Sequence, residues 1–380
     1  MRIAMNVVRD YLGGIATANT NLLTFLNGSG KGAIGIEINA RRHIRGATAF
    51  WHLSQDWFEQ HIFNIHDLPL TKIMARAKTL KDVENYYRPV INLIKVTLRR
   101  EPPDVMLLNG TYYMPWMISI AAHELKIPIV MRYAGVLSRE TKNYPPRQRK
   151  IFLAMERSFR QRVYSWVFPS QICRDVVERE VYQRPVARGC VIPNPVNLAC
   201  VSELNISSPS VERRIAAVGR WDTIKNFRVF FDMHRRLLRQ KWKHIATIVT
   251  KTEKIDGFPR TMNRLAPMRP EGLYQFYLSQ GLIVSPSLFE TFGNVPMEAA
   301  CLGVPVLVND QMGCAELLRL AGLGNMVMSF ADLNAVAERA KILCGQQILP
   351  KQLNNLRKSV SPKIVNELLL GVLREAARSI

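Results

Sequence analysis

Residues 286–310, PSLFETFGNVPMEAACLGVPVLVND, decide the fold class of this sequence. The run GLIVS (281–285) just before them and the run VPVLVND at their end are short and apolar, as buried parallel strands are. Between the two runs, Pro296 and the helix-favouring segment MEAACL predict a helix. The stretch therefore predicts a short βαβ crossover, which indicates a parallel α/β sheet.

Two glutamates of this stretch fall where open α/β sheets bind ligands, beyond the carboxyl ends of the strands. We expect Glu290 in the strand-to-helix loop and Glu298 in the first helical turn. Because ionised carboxylates repel phosphate but accept hydrogen bonds, sugar hydroxyls are their predicted partners. The alternative is a solvated loop charge at Glu290 and a dipole-stabilised helix residue at Glu298. The amides that could receive a phosphate belong to Thr291, Phe292, Gly293, Asn294 and Val295.

Alternating strands and helices run along almost the whole sequence, which predicts two doubly wound domains. The first covers residues 1–200 and the second 211–350, joined by the polar stretch SELNISSPSVERR (202–214). A helix over 361–380 follows, with Ser361 as its cap and Pro362 at its first position. The predicted strands are 2–7, 33–38, 105–108, 128–131, 163–168 and 191–192, then 214–219, 244–250, 281–285, 304–309 and 324–328.

The charge is strongly positive, with 52 Lys and Arg against 30 Asp and Glu, a net charge of +22 and a pI near 10.1. Such a field attracts polyanions and anionic membranes. Residues 147–163, RQRKIFLAMERSFRQRV, predict a basic amphipathic helix. Either its apolar stripe packs into the domain and its cations are solvated, or it contacts an anionic membrane surface. The stripe is Ile151, Phe152, Met155, Phe159 and Val163; the cations are Arg147, Arg149, Lys150, Arg157 and Arg160.

The compartment is predicted from cysteine usage and from the apolar runs. The six cysteines form no C-x-x-C pair and lie in apolar or mixed segments, as free buried thiols do, which indicates a reducing compartment. The first residues lack the apolar region of a signal peptide, and no window holds 18 apolar residues. We expect a cytoplasmic protein without a spanning helix.

Two further loops carry features that receive anions. Gly13 and Gly14 precede a helix and let backbone approach a ligand closely, although the pattern is not G-x-G-x-x-G. In VGRWDTIKNF, Arg220 and Lys225 lie near the carboxyl end of a strand, where they can pair with phosphate oxygens. The predicted ligand site is a cleft between the two domains.

These segments resemble the GT-B glycosyltransferases, specifically the large retaining family 4 (glycosyltransferase group 1), over nearly the whole sequence. Glu290 and Glu298 are similar to the E-x7-E signature of that family, and the A-x-x-G-x-P-V continuation follows them from Ala300 to Val306. MGCAE resembles the downstream GG-x-x-E, with Met312 in place of the first glycine and Glu316 retained. VGRWDTIKNF, VIPNPVNL and LGGIA resemble the donor loop, the hinge strand and the amino-terminal glycine turn.

The resemblance implies two Rossmann-like domains facing across a cleft, with helix 361–380 packing back on the amino-terminal, acceptor-side domain. It also implies that Arg220 and Lys225 hold the donor diphosphate without a metal or other cofactor. Glu290 would contact hydroxyls of the donor sugar and Glu298 the ribose. The implied reaction is retaining hexosyl transfer from a nucleotide-diphosphate sugar to a glycan or lipid-linked acceptor, in polysaccharide or glycolipid synthesis. Together with the positive charge, it favours a peripheral location on the inner face of the cell membrane.

The sequence departs from the family after PIVMRYAG, where many members carry a histidine. Ala134 precedes Gly135 at this position, so Arg132, Tyr133 or Asn109 is expected to replace the histidine. His123 nearby is interpreted as a helix-surface residue.

Two rival functions fit part of the pattern. A nucleotide-sugar epimerase of the same fold would bind the same donor, but it needs acid and base groups around the sugar ring. A basic nucleic-acid-binding protein fits the charge, but the sequence contains no recognised module of that kind, and the cations are spread over many helices.

Overall fold

The computed structural model describes residues 1–7, 14–28, 33–39, 50–55, 58–64, 73, 76–199 and 213–379. Over these residues strands and helices alternate in two compact units. The strands are β1 Ile3–Asn6, β2 Ala33–Asn39, β3 Phe50–Gln55, β4 Phe58–Asn64, β5 Val105–Asn109, β6 Ile129–Arg132, β7 Ser165–Phe168, β8 Gly189–Val191, β9 Arg214–Val218, β10 Ile245–Val249, β11 Met262–Leu265, β12 Leu282–Ser285, β13 Val306–Asn309 and β14 Val327–Met328.

The helices lie mostly between successive strands. They are α1 Gly14–Gly28, α2 Leu80–Arg100, α3 Tyr113–Glu124, α4 Leu137–Glu140, α5 Pro146–Ser158, α6 Gln171–Val176, α7 Phe227–Arg239, α8 Pro270–Leu278, α9 Asn294–Cys301, α10 Cys314–Leu320, α11 Leu333–Leu343, α12 Pro350–Ser359 and α13 Pro362–Ala377. A π-helical segment, Val177–Tyr182, continues α6, and short 3-10 turns cover Phe159–Gln161, Thr223–Lys225 and Gly324–Met326.

The first unit, unit 1, comprises Met1–Ile192 and Val365–Ile380. Its sheet has the order β3-β4-β2-β1-β5-β6-β7-β8, and only the β3–β4 pair among the described strands is antiparallel. Helix α13 contributes its apolar face to the core under this sheet, where Val365, Leu369 and Leu373 are fully buried in one cluster with Ile3 and Leu22.

The second unit, unit 2, comprises Pro193–Ile364 and contains a parallel sheet of order β11-β10-β9-β12-β13-β14. Numbered within the unit, this is the order 3-2-1-4-5-6 of doubly wound nucleotide-binding sheets. The strand order reverses between β9 and β12, which are neighbours in the sheet. In such sheets ligands bind at this reversal, beyond the carboxyl ends of the two strands.

The α/β prediction is confirmed, and three elements were missed. Strands β3 and β4 were not predicted, and neither was the edge strand β11, in which three of four residues are exposed. Only Met262 of this edge strand is buried, so its sequence MNRL carries no apolar run. The predicted linker lies almost entirely outside the described residues.

The predicted basic helix over 147–163 is shorter than expected. Helix α5 ends at Ser158 and is followed by the 3-10 turn Phe159–Gln161, so Val163 lies beyond the helical stripe. The rest of the stripe packs inward as the first alternative requires, since Ile151, Phe152, Met155 and Phe159 are at most 3% exposed.

Five of the six cysteines are described, and all five are free thiols. Cys173, Cys301 and Cys314 are buried, whereas Cys190 and Cys344 are partly buried. In the part of the chain that the structure describes, no helix is long and apolar enough to cross a membrane.

Candidate functional site

Two loops meet at the strand reversal of unit 2. One follows β9 and contains the 3-10 turn Thr223–Lys225, and the other follows β12 and leads to α9. Their backbones are joined by a hydrogen bond from Leu288 N to Ile224 O (2.8 Å), and the Asn226 side chain donates to Pro286 O (3.4 Å). The sheet order therefore brings together two segments that the sequence separates by about sixty residues.

The centre of this junction is an ion pair between Lys225 and Glu290. Lys225 Nζ lies 2.6 Å from Glu290 Oε1, and the side chains are only 17% and 18% exposed. The same oxygen accepts a hydrogen bond of 2.7 Å from the hydroxyl of Ser287, a residue that is 1% exposed. Glu290 lies in the predicted loop, but it is not the solvated charge of the alternative interpretation.

Arg220 lies in the same loop as Lys225 but in a different environment. Its side chain is 82% exposed, and its closest ionic contact is Asp222 Oδ2 at 3.7 Å. Asp222 also caps the 3-10 turn by accepting from Lys225 N (3.0 Å). Asp222 thus fixes the backbone of Lys225, while the Arg220 guanidinium remains extended in solvent.

The loop between Glu290 and α9 pairs with the MGCAE segment. Gly313 N donates to Glu290 O (3.0 Å) and Cys314 N to Phe292 O (2.6 Å). Between them Gly293 adopts φ +103°, and a Cβ there would lie 2.9 Å from Met312 Cε and 3.0 Å from Cys314 Sγ. Only glycine fits this turn without strain.

Helix α9 presents its amino terminus to the junction. The first helical bond runs from Met297 N to Gly293 O (3.3 Å), so no carbonyl within α9 can accept from the N–H groups of Asn294 and Val295. Asn294 also contacts the VIPNPVNL segment, because Asn194 Nδ2 donates to its Oδ1 (2.9 Å). These amides and the positive end of the helix dipole suit an anion.

Glu298 is the fifth residue of α9, so its predicted place in the first turn is wrong. Its side chain is partly buried, and burial raises the pKa of its carboxyl to about 7, opposed by a hydrogen bond from Tyr277 Oη to Oε2 (3.3 Å). Tyr277 comes from α8 and is fully buried. The helix dipole acts on the first turn, so it does not explain a partly buried carboxyl in the second turn, and the alternative interpretation of Glu298 also lacks support.

The strand reversal of unit 1 lies between β1 and β5 and holds a buried asparagine network. The Asn6 side chain accepts from Asn109 N (2.6 Å) and donates to Asn109 O (3.1 Å), which extends the pairing of the two strands. Asn19 of α1 donates to Asn6 O (2.9 Å) and accepts from Asn109 Nδ2 (2.6 Å). Gly14 is the first residue of α1, and Gly13 lies outside the described residues.

The three residues expected to replace the missing histidine are all buried in unit 1. Asn109 belongs to the asparagine network, and Tyr133 donates to Tyr182 Oη at 3.0 Å. Arg132 is 3% exposed, and burial lowers its pKa to about 10. In this structure none of these three side chains is presented at the surface as a ligand contact. His123 is exposed on α3, as predicted.

A buried glutamate that sequence reasoning missed supports the loop containing Ala134 and Gly135. Glu156 of α5 accepts from Leu137 N (3.0 Å) and Ser138 N (3.2 Å), the first amides of α4. It is fully buried, and burial raises its pKa to about 8. Its position inside a basic helix gave no signal, because the periodicity marks only apolar neighbours.

Ser287 and Tyr277 were also missed, for different reasons. Ser287 lies three residues before Glu290 in the quoted stretch, and this short spacing could have indicated a contact. Tyr277 lies on a different helix from Glu298, and nothing in its local pattern marks it. Among the described residues, no group of three His, Cys, Asp or Glu side chains is arranged to hold a metal ion.

Comparison with known proteins relates part of the sequence to a family and the whole fold to solved structures. Residues 212–345 match the family glycosyl transferases group 1. A stretch of 71 residues is 37% identical to D-inositol 3-phosphate glycosyltransferase of Nocardia farcinica (strain IFM 10152) and covers 19% of this chain and 16% of that protein.

Solved structures resemble the chain over its full length. Sucrose-phosphate synthase from Thermosynechococcus elongatus matches with a TM-score of 0.75 at 14% identity, covering 100% of both chains. The E. coli trehalose-6-phosphate structure bound with UDP-2-fluoro glucose matches with a TM-score of 0.71 at 11% identity, also covering 100% of both. A trehalose-phosphate synthase from Burkholderia xenovorans, in complex with glucose-6-phosphate, has a TM-score of 0.69 at 13% identity and covers 98% of this chain and 99% of that one.

The matched residues 212–345 include both glutamates, Lys225 and Arg220. The fold of the resemblance is therefore confirmed, and a group 1 match is found for residues 212–345, whereas the narrower assignment to family 4 stays a prediction. Residues 212–345 of the C-terminal unit thus match the glycosyl transferases group 1 family, and the chain has the GT-B fold.

Proposed function

We propose that this protein is a retaining glycosyltransferase that moves a hexose from a nucleotide-diphosphate sugar to a glycan or lipid-linked acceptor. The observation that carries the proposal is the junction of Lys225, Glu290 and the start of α9 at the strand reversal of a group 1 unit. It combines a cation, free amides and a carboxylate within one small site. A diphosphate flanked by sugar hydroxyls needs these three kinds of group.

The Lys225–Glu290 pair resolves an electrostatic conflict in such a site. A carboxylate beside a diphosphate would repel it, but a lysine bonded to Glu290 neutralises that charge. An ammonium group has three donors, so Lys225 can hold Glu290 and still donate to a phosphate oxygen. Exposed Arg220 has the reach to add a second cation. The hydrogen bonds from Lys225 and the positive charge of Arg220 then stabilise the charge that develops on the departing nucleoside diphosphate.

We assign the sugars to the two glutamates. Glu290 accepts from hydroxyls of the transferred sugar, and Glu298 accepts from the ribose. The phosphate of the leaving group takes the acceptor proton on the same face, so retention needs neither a histidine at position 134 nor a metal. Activity that disappears with EDTA and returns only with magnesium or manganese would contradict the metal-free mechanism.

The experiment that tests the function is a donor panel. The protein is mixed with UDP-, ADP- and GDP-linked glucose and mannose, and thermal shift identifies the donor that stabilises it. Transfer is then measured by release of nucleoside diphosphate with and without acceptor, and NMR assigns the anomeric configuration of the product. Release that no acceptor increases indicates hydrolysis, and epimerised donor indicates the rival epimerase. Salt-dependent DNA binding without donor binding would support the nucleic-acid alternative.

The acceptor is proposed to lie at an anionic membrane on the cytoplasmic side. Two observations support this location. The net charge is +22, and on the outward side of α5 Lys150 and Arg157 line a groove of about 450 Å³ together with Leu153 and Ala154. Each cation near an anionic bilayer contributes about 1 kcal/mol. Among the similar proteins, several are named for phosphorylated sugars or inositol, so inositol 3-phosphate and glucose-6-phosphate serve as soluble acceptors in the same assay.

Liposome co-sedimentation tests the membrane contact. Arg149 and Arg160 each bury a guanidinium nitrogen, so they are left unchanged. The variant Lys150→Ser/Arg157→Ser should pellet less with anionic vesicles, and salt should weaken the wild type. The control Lys243→Ser/Lys251→Ser removes the same charge from exposed positions of unit 2. Equal loss in both variants, or equal pelleting on neutral vesicles, contradicts the role of α5.

A further inference from the structure

The two oxygens of the Glu290 carboxylate have different surroundings. Oε1 accepts from Lys225 Nζ at 2.6 Å and from Ser287 Oγ at 2.7 Å. Among the described residues, none donates a hydrogen bond to Oε2. A carboxylate has about four lone-pair sites, so Oε2 retains its full capacity to accept.

We propose that Ser287 is a positioning residue that, together with Lys225, fastens Oε1 so that Oε2 faces the hydroxyl of the transferred sugar. This inference rests on the proposed function and names a residue outside the signature glutamates. Lys225 is a flexible chain, so by itself it leaves the carboxylate free to rotate about its last torsion. A second donor on the same oxygen, from a short and buried side chain, fixes that rotation.

The geometry around Ser287 supports a fixed position. Ser287 is 1% exposed and follows directly after the residue whose carbonyl accepts from Asn226. The next residue, Leu288, is held by its backbone bond to Ile224. The hydroxyl is therefore held on both sides by contacts to the loop that carries Lys225. A serine hydroxyl in this place acts on the orientation of Glu290, not on the nucleotide.

The decisive test measures sugar transfer and nucleotide binding separately. With the best donor of the panel, Ser287→Ala should lower kcat roughly tenfold, the usual cost of one hydrogen bond to a charged group, and leave the Kd of the free nucleoside diphosphate unchanged. Ser287→Thr retains the hydroxyl and should recover most of the activity. Ser285→Ala, which changes another buried serine two residues upstream, is the matched control and should keep wild-type kcat.

A double-mutant cycle tests whether Ser287 acts through Glu290. Glu290→Gln can keep its Oε1 bonds but presents an amide N–H₂ in place of Oε2, so it should lose turnover by itself. In that background Ser287→Ala should cost little more, because the oxygen it orients is gone.

The outcomes are distinct. A wild type that binds the nucleotide but shows no transfer with any donor overturns the proposed function. An active wild type with an equally active Ser287→Ala, or an undiminished serine effect in the Glu290→Gln background, overturns the positioning role alone. Joint loss of nucleotide affinity and melting temperature in Ser287→Ala, not recovered by Ser287→Thr, also overturns it, since it indicates a structural serine.

Discussion

Nucleotide binding should depend on pH through the ionisation of Glu298, and the pKa of this residue sets the pH range of the effect. Its pKa of about 7 results from burial, opposed by the Tyr277 hydrogen bond. If ribose hydroxyls bind only the ionised carboxylate, the apparent Kd varies as one plus the ratio of protonated to ionised Glu298. From pH 8 to pH 6 that factor rises about tenfold, equivalent to about 1.4 kcal/mol.

The assay is isothermal titration calorimetry with the free nucleoside diphosphate of the preferred donor. Measured near pH 7 in buffers of different ionisation enthalpy, binding should release roughly half a proton from Glu298. The terminal phosphate of the ligand also titrates near pH 6, so Glu298→Gln is the reference from which the glutamate contribution is obtained by difference.

A second variant fixes the cause. Tyr277→Phe removes the bond that lowers the Glu298 pKa, so the pH dependence should move to higher pH, and binding at pH 7 should weaken several-fold while binding at pH 9 changes little. If wild type and Glu298→Gln share the same pH profile, Glu298 does not contact the ribose as an ionised group.

Three further predictions concern unit 2. Changing Arg220 and Lys225 together to Ala should lower turnover at least about a hundredfold, or about 2.7 kcal/mol, and a loss of tenfold or less in steady-state kinetics would indicate a structural role. Buried His234 has its pKa lowered to about 4, mainly by burial, so the unfolded chain takes up its proton first and stability falls as pH drops below 6.5. The loss should reach about 2 kcal/mol at pH 5 in urea titrations, and an equally steep decline in His234→Gln would contradict this origin. Gly293→Ala should destabilise the fold by about 1–3 kcal/mol, because alanine is strained at a φ of +103°. A melting temperature equal to that of the wild type would contradict this prediction.

The sequence predicted the parts of the fold that depend on local patterns. Buried parallel strands such as β12 and β13 are continuous apolar runs, and helix α9 follows from its proline and small residues. Edge strand β11 was missed because an edge needs no apolar face, and the end of α5 was misplaced because the apolar period continues through the 3-10 turn.

The sequence predicted which residues form the candidate site, but not which of them contact one another. Spacing drew attention to Glu290 and Glu298, and loop position to Lys225. The lysine is predicted to contact the diphosphate, and its ion pair with Glu290 was not foreseen. That pairing depends on which strands become neighbours, and the sheet order is set by packing between distant segments. The pKa of Glu298 likewise depends on tertiary structure, since burial in the folded unit raises it and a tyrosine from another helix opposes the rise.

Helix α13 has a consequence for synthesis on the ribosome. Its residues Val365, Leu369 and Leu373 complete the core of unit 1, yet they follow every residue of unit 2 in the chain. During translation, unit 1 is begun first, but it lacks one wall of its core until α13 is made, after every residue of unit 2 has been synthesised. The earlier half of the polypeptide thus matures later, and until α13 arrives it exposes apolar surface around Ile3 and Leu22 to chaperones and proteases.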